Sequence, residues 1–294
     1  IIAVEPDAGY MKVYDTGITT SPNTGAVQHA HEKYLWFQIN TEVYRWELPE
    51  SSSPSLVLTV GTASTFGLSG DNNIIVQDAA TVYSITRDGT YTNIATVDSN
   101  SNFHHDLFCR QGDGGLLLTQ TSGTIFHLSS GSATLLVSPS YTPGIVDHVS
   151  FITKVDGELF VGTGGRQLYR DLHTNGANFV EAIAQLNVST SYGAAFYVAS
   201  SSVWYVAYQE TNNSDIIVMQ YDNGIPSTVV SIPTTGFAYV FLRHYKGDRL
   251  ILGVGWDMMN PVSAQGLYVI DAGKKSCTLL SGSCQIYGLS RVDQ

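Results

Sequence analysis

Charge is what this sequence has least of. Asp, Glu, Lys and Arg make up 13% of its 294 residues, against about 25% in an ordinary soluble domain, so solubility has to rest on Ser, Thr, Asn, Gln and Gly. Lys and Arg number 14 against 25 Asp and Glu, a net charge of -11 with no basic tract. That disfavours nucleic acid and anionic membranes as general partners. Apolar runs, from LLL at 116–118 to VWYVAY at 203–208, fall far short of the roughly 20 residues a membrane span requires, so no span is expected. The sequence also has no G-x-S-x-G elbow, P-loop, H-E-x-x-H or EF-hand spacing, which removes the common local signatures of nucleophilic, phosphoryl and zinc chemistry.

Cysteine is scarce too. Cys277 and Cys284 flank a strand and turn, a spacing that can close a disulfide in an oxidising compartment or leave two buried thiols. Cys109, in DLFCR, fits a small packed hydrophobe. Asn187 and Asn212 head the sequons NVS and NNS, as expected of a secreted glycoprotein, although a chain rich in Asn, Ser and Thr supplies such triplets by chance. The first residue is Ile1, as in a mature product or a trimmed chain. Low charge, sequons and the cysteine pair together point to a secreted, extracellular protein.

What is present is a repeat. Short runs of Val, Ile, Tyr and Phe recur between Gly, Asp, Asn and Ser turns, and helical periods are missing, so the chain is all-β. One strand type recurs with core residues starting at Leu35, Ile74, Leu116, Leu159, Val203 and Leu250, spaced 39, 42, 43, 44 and 47 apart. Each is preceded by an apolar strand and a polar turn. Each is followed by a third strand, for example VYRWEL or IIVMQYDNG, and by a fourth, for example SLVLTV or STVVSI. The ends complete the series. When QIYGLSRVDQ is set before IIAVEPDAGYMKVYDTG, YGLS meets FGLS of 66–69 and IIAV meets IIVQ of 74–77. Closing the ring this way gives seven periods with a mean of 42, which use all 294 residues.

Four strands per unit and a period in the forties resemble the seven-bladed β-propeller superfamily. The resemblance implies four antiparallel strands per blade and one domain over 1–294. The seam blade would combine 285–294 with 1–21, with six further blades between about 24 and 284. No named family is reached. Trp256-Asp257 falls in a second strand, where WD40 repeats do not carry their Trp-Asp, GTGG at 162–165 stands alone, and the DTG, DNG and DAG turns lack the Ser and Trp of sialidase Asp boxes. Those turns are expected to be hairpins that use Asp and Gly for backbone freedom.

In such a fold the first strand of each blade lines a central channel. His29, Arg110 and His244 lie six residues before their core anchors, Lys154 and Arg291 five before, and Arg243 seven before. They can form a basic funnel for an anionic ligand, or differing turn lengths can point them alternately into the channel and between blades. Where the first strands begin, His105-Asp106 and Asp147-His148 occupy matching places in adjacent blades. They can hold a metal ion or an acid–base pair, or can simply be loop histidines bonded to backbone. No organic cofactor is implied. Glu32, Asp156 and Glu158 lie near first-strand ends, and carboxylates that meet in space would suffice for glycoside hydrolysis.

No fourth strand carries Lys or Arg, although edge strands usually use charge to resist pairing. The expected function is non-catalytic binding or scaffolding, with a surface glycan or extracellular protein as partner. Two alternatives are a self-assembling unit of an extracellular fibre or coat, and a hydrolase or lyase acting on an acidic sugar.

Overall fold

The computed structural model describes the strands named below, the residues 7, 41, 53–54, 60–61, 73, 80, 86–90, 156–157, 186, 199–202, 210–211, 213–215 and 223–224, and the residues 233–237, 247–248, 262–265, 272–275 and 282. Among these the fold is all-β, with no helix and hence none long and apolar enough to cross a membrane. A hairpin of β1 (Ile2–Glu5) and β2 (Tyr10–Val13) comes first. Six four-stranded antiparallel sheets follow. Blade I holds β3 (Gln28–His31), β4 (Tyr34–Ile39), β5 (Glu42–Glu47) and β6 (Ser55–Thr59). Blade II holds β7 (Ser64–Leu68), β8 (Ile74–Asp78), β9 (Thr81–Ile85) and β10 (Tyr91–Thr96). Blade III holds β11 (Phe108–Arg110), β12 (Leu116–Thr119), β13 (Ile125–Ser129) and β14 (Ser132–Val137). Blade IV holds β15 (Val149–Val155), β16 (Glu158–Thr163), β17 (Gln167–Asp171) and β18 (Ala182–Gln185). Blade V holds β19 (Ala194–Val198), β20 (Val203–Gln209), β21 (Ile216–Asp222) and β22 (Ile225–Ile232). Blade VI holds β23 (Ala238–Lys246), β24 (Arg249–Trp256), β25 (Gly266–Asp271) and β26 (Ser276–Ser281).

Each blade is an up-and-down meander, and the first strands touch in chain order, β3 to β7 to β11 to β15 to β19 to β23. The turns are built from the residues expected of them. Asp156-Gly157 and Asn223-Gly224 take positive φ at both central positions, 53° and 82° in one, 48° and 80° in the other. That is the backbone twist a two-residue hairpin requires.

The core lies between blades, because each sheet buries both faces. Trp36, Val43, Leu58 and Val60 of blade I and its flank pack on Ile74, Val76 and Ile85 of blade II. Phe160, Leu168 and Leu186 meet Phe196, Val198, Trp204 and Val206 across blades IV and V. Fully burying one such large side chain contributes roughly 1.5–3 kcal/mol. One anchor slips by a residue. Ile74 and Leu250 face the preceding blade, and in blade V the residue that does so is Trp204, whereas Tyr205 faces blade VI. Strand side chains alternate, so a one-residue shift exchanges the two faces.

All six third-to-fourth pairings carry a register shift at the same place. The extra residue on the outer strand is Val57, Ile94, Leu136, Ile183, Val229 or Leu280. A bulge bends and twists the strand that bears it, and it spoils an edge as a template for another chain. The uncharged outer edges are therefore blunted by shape.

Candidate anion-binding face

The meander puts first-to-second and third-to-fourth turns at one end of every blade, here called the turn face. The described basic residues expected in the channel, His29, Arg110, Lys154, Arg243 and His244, come from first strands, toward their turn-face ends. Register divides them. Arg110, Lys154 and His244 sit opposite Leu116, Leu159 and Leu250, the equivalent core position of each second strand. His29 sits opposite Trp36 and Arg243 opposite Ile251, one residue along and so on the other face of their sheets. Counting back from the anchor does not see this, because blade VI has a bulge between His244 and Lys246 and blade IV does not have one there.

Where the side chains are described, they differ in exposure. Lys154 is exposed. The His244 ring stacks on Tyr197 of blade V, centroids 5.4 Å apart and 9° from parallel, and its Nε2 is 2.9 Å from the Gly247 carbonyl. A contact to a carbonyl makes Nε2 the protonated nitrogen of the ring. Tyr197 stacks in turn on Tyr205 at 6.1 Å. Burial is the main cause that pushes the Tyr205 phenol up, with Asp248 adding to it. Arg243 is half-buried and its Nη1 donates to the Leu242 carbonyl at 2.9 Å. Arg291, His105, Asp106, Asp147, His148, Asn187, Asn212 and Cys284 lie outside the described residues. Cys277 is an exposed free thiol on β26. Among the described residues no three His, Cys, Asp or Glu side chains converge on a metal-sized site.

The turn face has a second feature, which the motif reading missed. Three blades reach across to the next element with an arginine. Arg45 Nη1 donates to the Arg87 carbonyl in blade II. Arg170 Nη1 donates to the Ser201 carbonyl in blade V at 3.0 Å and lies 3.7 Å from Glu158 Oε2. Arg249 holds Asp7 with two bonds, Nη2 to Oδ2 at 3.0 Å and Nη1 to Oδ1, with Lys246 Nζ 3.7 Å from Oδ2. The Arg249 guanidinium also lies 5.0 Å from the Tyr245 ring centroid. The hydrogen bond from Arg249 is the main cause that holds the Asp7 carboxyl below the usual carboxylate range. A sequence signal existed for two of these joints. EVYR at 42–45 and QLYR at 167–170 are the same segment of two third strands. In both, the tyrosine hydroxyl donates back two residues, Tyr44 to Glu42 at 2.5 Å and Tyr169 to Gln167 at 3.0 Å. Burial, then the Glu42 carboxylate, pushes the Tyr44 phenol up to about 12.

Asp7 also places the N-terminal hairpin. It touches the first residue of β24, a strand of 8 residues, about 26 Å long at ~3.3 Å per residue. The β1–β2 turn is therefore at the turn face. The match of IIAV to IIVQ predicts that β1 and β2 are the second and third strands of the closing blade, with their turn at the opposite end. The observed position makes the hairpin a first–second or a third–fourth pair.

Six meandering sheets whose first strands follow one another round an axis are one architecture. The chain is a β-propeller. Solved structures agree with this. The propeller superposes on virginiamycin B lyase from Staphylococcus aureus with a TM-score of 0.56 and 15% identity, covering 86% of this chain and 84% of that one. It superposes on a chain of the mitotic checkpoint complex with a TM-score of 0.58 and 12% identity, covering 86% and 77%. For the WD40 domain of Neurospora crassa Pan2 the values are 0.52, 12%, 84% and 75%. At such identities the likeness is of fold alone. No protein-family model and no curated protein sequence matches the chain.

Proposed function

We propose that this propeller is a secreted, non-catalytic binding protein that takes an anionic surface glycan, or an acidic patch of an extracellular protein, at the turn-face end of its channel. The observation that carries the reading is the shared register of Arg110, Lys154 and His244, three basic residues at one level on the first strands of three of the six described blades. In a chain of net charge -11, basic residues gathered at one level of a low-dielectric channel focus a local positive field. A seventh blade would combine 285–294 with the β1–β2 hairpin. At the opposite end of the channel His105, Asp106, Asp147 and His148 would hold a metal ion, which elemental analysis of the purified protein checks. The uncharged outer strands favour homotypic assembly as a second reading, but the bulges in all six described ones weigh against edge pairing.

A glycan array containing sulfated, uronic and neutral oligosaccharides tests the ligand class. Binding to acidic glycans that weakens as salt rises and falls in an Arg110→Ala/Lys154→Ala double variant is expected. Equal binding to neutral glycans, or no effect of the double variant, would overturn the proposal. Deleting 285–294 tests closure separately. Cooperative loss of the fold is the expected result, and an unchanged melt would remove the seventh blade.

A further inference from the structure

We propose that the joint between blades IV and V carries a subsite for a sugar hydroxyl at its turn-face end, between Glu158 and Trp204. Glu158 Oε2 and Trp204 Nε1 are the two buried side-chain polar atoms that have no hydrogen-bond partner among the described residues. One is an acceptor and the other a donor. Trp204 is 3% exposed, so its N–H has no ready recourse to solvent.

The two groups belong to facing surfaces. Glu158 stands two residues before Phe160 on β16, and Arg170 two after Leu168 on β17, so both share the face that Phe160 and Leu168 turn toward blade V. Trp204 packs in the same cluster from the blade V side. Level agrees with face, because Glu158 pairs with Val155 and Trp204 with Val198, each at the turn-face end of a first-to-second hairpin. The joint is braced there. Ser201, in the β19–β20 turn, accepts from Arg170 Nη1 through its carbonyl at 3.0 Å and donates its N–H to Asp156 Oδ2 at 2.9 Å. Arg170 Nη1 lies 3.7 Å from Glu158 Oε2, outside hydrogen-bond reach. Tyr221 stacks on Trp204, centroids 5.7 Å apart and 13° from parallel. These contacts position both groups and satisfy neither.

Buried polar groups are almost always hydrogen-bonded, and an orphan is costly. A ligand group that serves both atoms must accept from the indole N–H and donate to the carboxylate. A hydroxyl does both through one oxygen, whereas a sulfate or carboxylate has no proton to give and an ammonium has no lone pair to offer. The Arg170 and Glu158 side chains are 30% and 23% exposed, so the way in is from the turn face. Lys154 lies in the same hairpin, next to the Val155–Glu158 pair, and a glycan anchored over Lys154 lies beside this entrance. That the hydroxyl belongs to a sugar rests on the proposed function above.

Indole N–H spectra by NMR test the subsite, with Trp204→Phe assigning the resonance among the four tryptophans. The probes are the methyl glycosides of galactose, glucose and mannose, a heparin-derived hexasaccharide, and N-methylacetamide as an amide control. The expected result is a saturable shift of the Trp204 resonance with at least one neutral glycoside, weakened roughly fivefold or more in Glu158→Gln, while the other indole resonances and Tm stay unchanged. If an ordered water alone closes the bridge, no glycoside moves the resonance and the inference is overturned. A shift with N-methylacetamide alone would overturn it in favour of a peptide ligand, and equal affinity in Glu158→Gln would remove the bridge. The hexasaccharide separates the two readings. Binding that depends on Lys154 and leaves Trp204 unmoved sinks this inference while the proposed function stands, whereas a glycoside shift without hexasaccharide binding supports the subsite and removes the anionic channel.

Discussion

Gln209 offers the sharpest test of how the blades are joined. Its side chain is 1% exposed and its amide is fully used. Nε2 donates to the Ser214 and Gly236 carbonyls, both at 2.9 Å, and Oε1 accepts the Ala238 N–H at 2.9 Å. One amide thereby ties the loop after β20 to the start of β23 in the next blade. Gln209→Leu keeps the volume and removes all three bonds, leaving one backbone donor and two carbonyls without that partner. Each orphaned buried group costs ~1–3 kcal/mol. The two carbonyl contacts are only part-buried and fall at the low end of that range, so the three cost on the order of 3–6 kcal/mol, from which the leucine returns roughly 1–2 by apolar burial. The net loss of about 2–5 kcal/mol should lower Tm by on the order of 5–15 °C in a chain of this size. Calorimetry and urea melts of the two proteins measure it. Gln209→Glu should be worse still, because it sets a carboxylate against two carbonyl oxygens. A Gln209→Leu loss below ~1 kcal/mol with unchanged m-value would show that those backbone groups find other partners, and the joint would then be apolar packing alone.

Three other outcomes can be checked independently. The Asp7 carboxyl is held low by Arg249 and Lys246, so its contribution is complete above the ordinary carboxylate pKa and is lost as pH falls through the depressed folded value. Limited proteolysis of the hairpin across an acid series should show that step, and Asp7→Asn should remove it. Gly266 has φ 148°, and a Cβ there would stand 2.3 Å from the Ser281 carbonyl oxygen. Gly266→Ala is expected to cost more than ~2 kcal/mol in a urea melt, whereas Gly224→Ala, with open space around it, should cost less, since only its φ is strained. On β26, Leu279 is 52% exposed and Leu280 is the half-buried bulge residue. Leu279→Lys should change stability by about 0.5 kcal/mol or less. Leu280→Lys should cost several times more, and equal effects would refute the bulge assignment.

Much of the fold was legible because a propeller blade is local. Period-2 alternation and Gly- or Asp-rich turns mark strands independently of what they meet, and the second, third and fourth strands appear where the alternation puts them, as in β4, β5 and β6. The bulges left a trace as well. Leu56-Val57-Leu58 and Leu279-Leu280 break the alternation at the place where the extra residue enters. The candidate site was less legible. Lys154 and His244 share a level despite different distances from their anchors, because a bulge in one first strand alters the count.

The sequence by itself determined the all-β class, the repeat and the order of strands within each blade, since those follow from side-chain alternation and turn chemistry over a few residues. Only the tertiary structure decided which face each side chain takes, where the N-terminal hairpin's turn lies, and which cations meet. Face is set by register and by bulges, and a single residue reverses it. The meeting of Arg45 with Arg87, 42 positions apart, and of Arg249 with Asp7, 242 apart, is a property of blades packed side by side round an axis. No local pattern encodes that packing.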